Sequence, residues 1–191
     1  MNYYNNNARA FYDGTIDVEM DSLYEEFLPH LKLGSFILDA GCGSGRDALA
    51  FKALGFKVHA IDASNELALL AESLIEQPVE VTTFQKFQSK SSFDGIWACA
   101  SLLHVPLAEL PIAFNNLACN LKTKGPFYCS FKYGNDEVER DGRNFTNLNE
   151  TLLEVVLQDS PLRILKTWQT PDLRQEREDE KWLNTILIKE K

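Results

Sequence analysis

Ile37-Leu38-Asp39-Ala40-Gly41-Cys42-Gly43-Ser44-Gly45-Arg46 runs a short apolar segment straight into three alternate glycines. A brief apolar run cut off by glycines reads as a buried strand, and the segment from Ser44 to Leu54 reads as a helix stopped by Gly55. Glycines belong where the backbone takes a positive φ, or where a ligand approaches the main chain with no Cβ in the way. In open α/β sheets that place lies beyond the carboxyl ends of the strands, where the strand order switches. The dinucleotide fingerprint G-x-G-x-x-G misses by one place, because Arg46 stands where its third glycine belongs. Asp62 closes the next apolar run, 17 residues after Gly45, where a carboxylate can accept hydrogen bonds from both hydroxyls of an adenosine ribose. The alternative is that it simply caps the helix that starts near Ser64. Asp39 either orients the loop amides or reaches the cationic end of a ligand, and buried at a strand end it needs partners in both cases.

Outward from this loop, short apolar runs alternate with amphipathic segments. Strands are expected at 35–40, 57–62, 79–84, 94–100, 126–132, 163–169 and 182–188, seven in all. Helices are expected from Ser22, from Ser44, from Ser64, over about 106–121 and over 147–158. Ser22 with Glu25 fits a capping box, and Leu23, Phe27 and Leu31 form one apolar face. Strands alternating with helices predict a mostly parallel sheet covered on both faces. The last two strands lack a helix between them and so pair antiparallel as an edge hairpin. Residues 1–34 are read as an N-terminal helical lid or cap and 35–191 as the main domain, the two forming a single domain overall.

The chain has 191 residues, with 19 basic against 28 acidic side chains and a net charge of −9. That balance runs against a dedicated nucleic-acid binder: DNA is disfavoured as a partner and RNA is not favoured. No apolar run approaches a membrane span, and the first residues lack a signal pattern, so a soluble cytoplasmic protein is expected. Cys42, Cys99, Cys119 and Cys129 are widely spaced, with no C-x-x-C pair, which indicates neither a metal site nor a disulfide framework.

The runs ILDAGCGSGRDALAF, VHAIDAS and FDGIWACASLLHVP together resemble the class I S-adenosylmethionine (SAM)-dependent methyltransferases, and most of all a small stand-alone, tellurite-resistance-like branch. The resemblance covers about residues 8–190. It implies a Rossmann-like, doubly wound seven-stranded sheet with an antiparallel final strand. It also implies SAM as cofactor and S-adenosylhomocysteine (SAH) as product. Carried over, it puts Asp39, Gly41, Cys42 and Gly43 around the methionine part of SAM, Asp62 on its ribose and Ala63 under the adenine. Where the family often has an acid facing the adenine amino group, this chain has Thr83 followed by Phe84. Cys99 and Ala100 fall where the family passes beneath the sulfonium.

Methyl transfer from a sulfonium is an in-line displacement, so alignment and exclusion of water carry most of the catalysis. A base is needed only when the acceptor must lose a proton. His104, after the fourth strand, is the candidate base, with packing against Pro106 the alternative. Lys132 and Tyr133 end the fifth strand and either face the acceptor or pack. Tyr3, Tyr4, Phe11 and Tyr12 fold over the cofactor as a lid or dock as a helix face. Arg9 and Arg46 either pair the methionine carboxylate or stay solvated. Asp141 to Phe145, Arg174, Arg177 and Trp182 complete a candidate acceptor rim. ACASLLH stands where amine-type DNA methyltransferases carry a Pro-Pro box, and no Pro-Cys dipeptide occurs. A small-molecule acceptor is therefore expected, the alternatives being an RNA base, a non-catalytic SAM-binding partner or sensor, and a nicotinamide or flavin oxidoreductase.

Overall fold

A computed structural model describes residues 2–172 and 180–190. Seven strands form one sheet: β1 (Phe36–Ala40), β2 (Lys57–Asp62), β3 (Val79–Val81), β4 (Gly95–Ala98), β5 (Pro126–Lys132), β8 (Leu162–Pro171) and β9 (Lys181–Lys189). Their order is β3-β2-β1-β4-β5-β9-β8. Neighbours among the first five pair parallel, and β9 runs antiparallel to both β5 and β8. This is the expected seven-stranded, doubly wound sheet with its final strand reversed. Because the chain goes from β1 to β2 and β3 and then crosses back to β4, the switch point lies between the carboxyl ends of β1 and β4.

Alternation along the strands sends residues to two separate cores. Leu38, Ala40, Ile61, Ile96, Ala98, Phe127, Cys129 and Phe131 bury on one face. Ile37, Val58, Ala60, Trp97, Tyr128 and Ile186 bury on the other. There Trp97 stacks on Tyr128 with ring centroids 3.9 Å apart. Asp39 shares the parity of Ile37 and so points a carboxyl toward this second, aromatic face.

Among the described residues seven α-helices surround the sheet. α1 (Asn2–Asn6) and α2 (Ala8–Asp13) lie on α5 (Asn65–Ile75). α3 (Asp21–Phe27) drives Leu23, Tyr24 and Phe27 into the aromatic core beside Trp97. The remaining helices are α4 (Arg46–Ala53), α6 (Leu110–Cys119) and α7 (Glu150–Val156). α5 starts as expected, Ser64 Oγ accepting from the Leu67 amide at 3.3 Å. The Ser22 capping box does not form: α3 begins one residue earlier, its N-cap is Met20, and no side chain caps it. Burial of Met20 and Leu23 places that helix instead. After β5 the chain forms a two-stranded hairpin outside the seven expected strands, β6 (Glu137–Arg140) and β7 (Arg143–Thr146). Its turn is carried by Asp141 and Gly142 at φ +55° and +70°. Among the described residues no helix is long and apolar enough to cross a membrane.

Candidate functional site

At the switch point the glycine loop leaves β1 with Gly41, Gly43 and Gly45 at φ +81°, +55° and +82°. The Gly41 and Cys42 amides both donate to the Ile61 carbonyl, at 2.9 and 3.0 Å, which ties the loop to β2. A Cβ on Gly41 would stand 2.5 Å from Ser101 Cβ and 3.2 Å from the Phe84 ring, so β4's continuation and Phe84 close directly on the loop. Ser101 Oγ in turn donates to the Ala40 carbonyl at 2.7 Å. Just before it, Ala100 takes φ +48°, a backbone state that side chains disfavour, with its amide donating to Ser130 Oγ. Cys99 lies beside the same serine, and burial pushes its thiol up to about 12. Cys42 is buried and its thiol is likewise raised, so both cysteines stay protonated and unreactive.

Asp62 is placed at the end of β2, as the sequence implies. One of its oxygens accepts from the Gly43 amide at 2.9 Å and the other from the Ser64 amide at 2.8 Å. It therefore both caps the start of α5 and holds the loop. Burial nevertheless raises its carboxyl above the usual range against those bonds. Each carboxylate oxygen keeps a second lone pair for a hydroxyl donor.

Below the loop lies a network that sequence reasoning did not find. Asp47 is buried and accepts from Tyr24 Oη at 2.6 Å, Trp97 Nε1 at 2.7 Å and Arg46 Nε at 2.6 Å. Its carboxyl is lowered; burial opposes ionisation, and the Arg46 charge with these three donors outweighs it. Arg46, 19% exposed at its side chain, is thus committed to Asp47, with a further bond to the Thr15 carbonyl. An acid in the first turn of a helix reads as a dipole partner, and no local signal shows that this one is buried. Asp39 sits beside this network, and its Oδ2 is buried with no hydrogen-bond partner. Burial first, then the nearby Asp47 charge, raise its carboxyl well above the usual range.

The aromatic N-terminus covers the loop. The Phe11 ring lies 3.1 Å from where a Gly43 Cβ would stand. Phe11 packs edge-on to Tyr4, centroids 5.2 Å apart, and Tyr4 packs at the same distance on His104. Tyr4 Oη is 2.6 Å from His104 Nε2, and His104 Nδ1 is 2.8 Å from the Asn144 carbonyl. A carbonyl only accepts, so Nδ1 carries the proton and Nε2 accepts from the tyrosine. Burial lowers His104 to about 4, with Arg143 and Lys132 adding to the effect, so the ring is neutral at physiological pH. Tyr12 stays in the same segment, half-buried, under the Arg9 guanidinium at 5.4 Å. Arg9 pairs with Asp13 and is 74% exposed, away from the loop.

The other expected residues divide. Ala63 and Thr83 are half-buried near Asp62 and Phe84; the Thr83 carbonyl accepts from the Lys86 and Phe87 amides. Phe84 is fixed through its carbonyl by Asn116 Nδ2 at 2.6 Å. Exposed Tyr133 turns outward, its hydroxyl 3.1 Å from Glu150, and does not join the His104 cluster. Lys132 pairs with Glu180, and its ammonium lies 5.7 Å from the Phe145 ring. Trp182 donates to Asp172 at 3.1 Å. Arg174 and Arg177 lie outside the described residues. Among the described residues no group of three or more His, Cys, Asp or Glu could hold a metal ion.

The pieces fit the cofactor that the resemblance implies. An orphaned buried carboxyl at the foot of the loop suits an ammonium group, the loop leaves no room for side chains, and Asp62 retains acceptor capacity for ribose hydroxyls.

Residues 37–125 match a family described as a methyltransferase domain. No curated protein matches the chain at significant sequence similarity. Among solved structures, the fold is similar to that of the Burkholderia thailandensis 1,6-didemethyltoxoflavin-N1-methyltransferase, crystallised with 1,6-didemethyltoxoflavin and SAH. That likeness has 18% identity and TM-score 0.78, covering 100% of this chain and 85% of that one. The SAM-bound magnesium protoporphyrin IX methyltransferase of Synechocystis PCC 6803 is similar at 16% identity and TM-score 0.68, covering 98% and 85%. A SAM-dependent methyltransferase from Clostridium acetobutylicum is similar at 19% identity and TM-score 0.74, covering 97% and 99%.

Proposed function

We propose, from the match of residues 37–125 to a methyltransferase domain and the likeness of the fold to SAM-dependent methyltransferases, that the protein methylates a small molecule with His104 as its base. The observation that carries this reading is continuity: Phe11 and Tyr4 join the glycine loop and Asp62 to His104 in one covered cluster. When bound, SAM supplies an electrophilic methyl on a sulfonium. Asp39, Gly41, Cys42 and Gly43 are assigned to its methionine part, Asp62 to the ribose, and Ala63, Thr83 and Phe84 to the adenine side. Cys99 and Ala100 lie under the reacting end, with Arg46 acting through Asp47 and Tyr12 in the lid.

The Tyr4 hydroxyl donates to His104 Nε2, and its oxygen, which Arg143 also faces, keeps a lone pair for a further donor. A proton shed by the acceptor would pass to Tyr4 Oη, with the phenolic proton moving to His104 Nε2. His104 is a weak base here, lowered to about 4. It therefore suits an acceptor whose proton turns acidic as the new bond forms, such as a nitrogen acquiring positive charge. Residues 1–34 serve as the lid and its anchor on the 35–191 domain, the anchor being α3. The tellurite-resistance-like branch stays part of this proposal, as does a cytoplasmic location, in keeping with four unpaired cysteines.

Thermal unfolding with SAM, SAH and NAD tests the cofactor. A ligand at 100 times its dissociation constant adds about 2.7 kcal/mol, or roughly 5–10 °C here. A shift with SAM and SAH alone is expected; a shift with NAD alone overturns the reading. Labelled-methyl transfer to small molecules and to RNA then decides the acceptor, and SAM binding with no turnover to SAH on either makes the chain a silent binder.

A further inference from the structure

We propose that the acceptor is a flat anion whose negative charge sits against Arg143, an assignment that rests on the methyltransferase reading above. Arg143 opens β7, one residue from the carbonyl that orients His104. Its guanidinium carbon lies 3.9 Å from the Tyr3 ring centroid, 5.0 Å from Phe145 and 5.9 Å from Tyr4. The side chain is 20% exposed, and Nε is buried with no hydrogen-bond partner. Its ion partner among the described residues is Asp141, 3.3 Å away on the same hairpin turn and 64% exposed, where screening leaves such a pair little strength. Glu137, the acid at the start of β6, is already engaged by the Leu107 amide and Thr146 Oγ1. Lys132 adds a second cation across Phe145, itself paired with Glu180. Asp62 lies at the glycine loop, where it accepts from the Gly43 amide.

A guanidinium offers a planar fork of donors that matches a carboxylate or a delocalised oxyanion, and its flat face matches a ring. Here a half-buried fork has a donor to spare, walled by Tyr3, Tyr4 and Phe145. The net charge of −9 repels anions in general, so a local cationic spot of this kind is selective rather than a by-product of composition. The cofactor's own carboxylate shares the chemistry. Arg143 is separated from the glycine loop by the rings of Tyr4 and Phe11, which favours the acceptor as the source.

Benzoate, benzamide and benzylamine serve as probes, titrated by NMR into the SAH-loaded protein and into the free protein. Benzoate is expected to bind at least tenfold tighter than the other two, and R143M to remove that preference while leaving benzamide unchanged. R143Q provides a second variant, with circular dichroism confirming that each is folded. No benzoate preference, or a preference that survives R143M and R143Q, overturns the proposal. If R143M weakens SAH but not 5′-methylthioadenosine, which lacks the carboxylate, the anion is the cofactor's and the proposal is again overturned. If SAH fails to bind the wild type, the methyltransferase reading falls, and the free-protein titration still decides whether Arg143 holds a flat anion.

Discussion

Gly41→Ala tests the closure of β4 onto the glycine loop. Two costs add. An alanine at φ +81° pays the left-handed penalty of about 1–2 kcal/mol. Its methyl would also meet Ser101 Cβ at 2.5 Å, and forcing a methyl into a filled site costs about 1–3 kcal/mol. The sum is about 2–5 kcal/mol, or roughly 4–20 °C in Tm for a chain of this size. Gly34 is a matched control: its φ is +80°, and an added Cβ there meets nothing within 4 Å. Gly34→Ala is therefore expected to lose only the backbone part, about 1–2 kcal/mol. Urea unfolding of both variants isolates the steric part as their difference. Adding Ser101→Gly to Gly41→Ala removes the clashing atom, so the double variant should recover most of that difference, less about 1 kcal/mol for the lost bond to Ala40. Equal losses for Gly41→Ala and Gly34→Ala would refute the reasoning.

Asp39→Asn is expected to stabilise the ligand-free protein at neutral pH by about 0.5–2 kcal/mol and to weaken SAH binding. A carboxyl raised in the folded state helps stability at low pH and loses that help as pH rises through its raised value. The amide imitates the neutral acid, so a destabilised variant in urea would sink this account. Asp62→Ala removes bonds to two backbone amides as well as the ribose contact, so calorimetry should show SAH affinity falling tenfold or more, with stability lower by about 1–3 kcal/mol; unchanged affinity would mean the ribose lies elsewhere. His104, lowered to about 4, contributes stability above its unfolded value near ~6.5 that is lost as pH falls toward 4, about 3 kcal/mol in all. His104→Asn should flatten stability over that pH range, and nitrogen NMR of the wild type should show the Nδ1–H form. Tyr4→Phe should leave Nε2 buried without a donor and lower stability by about 1–2 kcal/mol, read by urea unfolding.

The sheet was legible because its signals are local and repeated. β1, β2, β4 and β5 are short apolar runs punctuated by glycines or helices, and the missing helix before β9 foretells its reversal. Gly41 to Gly45 and Asp62 were legible for the same reason, since each sits at a strand end that periodicity locates. The Ser22 capping box misled because a four-residue motif is weaker than the burial of Met20 and Leu23, which sets where α3 starts. The β6–β7 hairpin was hidden because three of the four residues from Glu137 to Arg140 are charged and the strand is mostly exposed, leaving no alternation to read. Asp47 was invisible for a different reason. Its partners Tyr24 and Trp97 are 23 and 50 residues away, so only the folded chain shows an acid with three donors. The Tyr4–His104 bond, spanning 100 residues, lies equally beyond sequence pattern.

The bond between Tyr4 and His104 also bears on timing. One short piece of chain roofs the glycine loop through Phe11 and walls the His104 side through Tyr4, so it cannot open for one ligand while staying shut on the other. On the proposed function, donor and acceptor would therefore come and go through one shared opening. If opening that roof limits turnover, a fast first round of product followed by a slower steady rate is the expected kinetic trace.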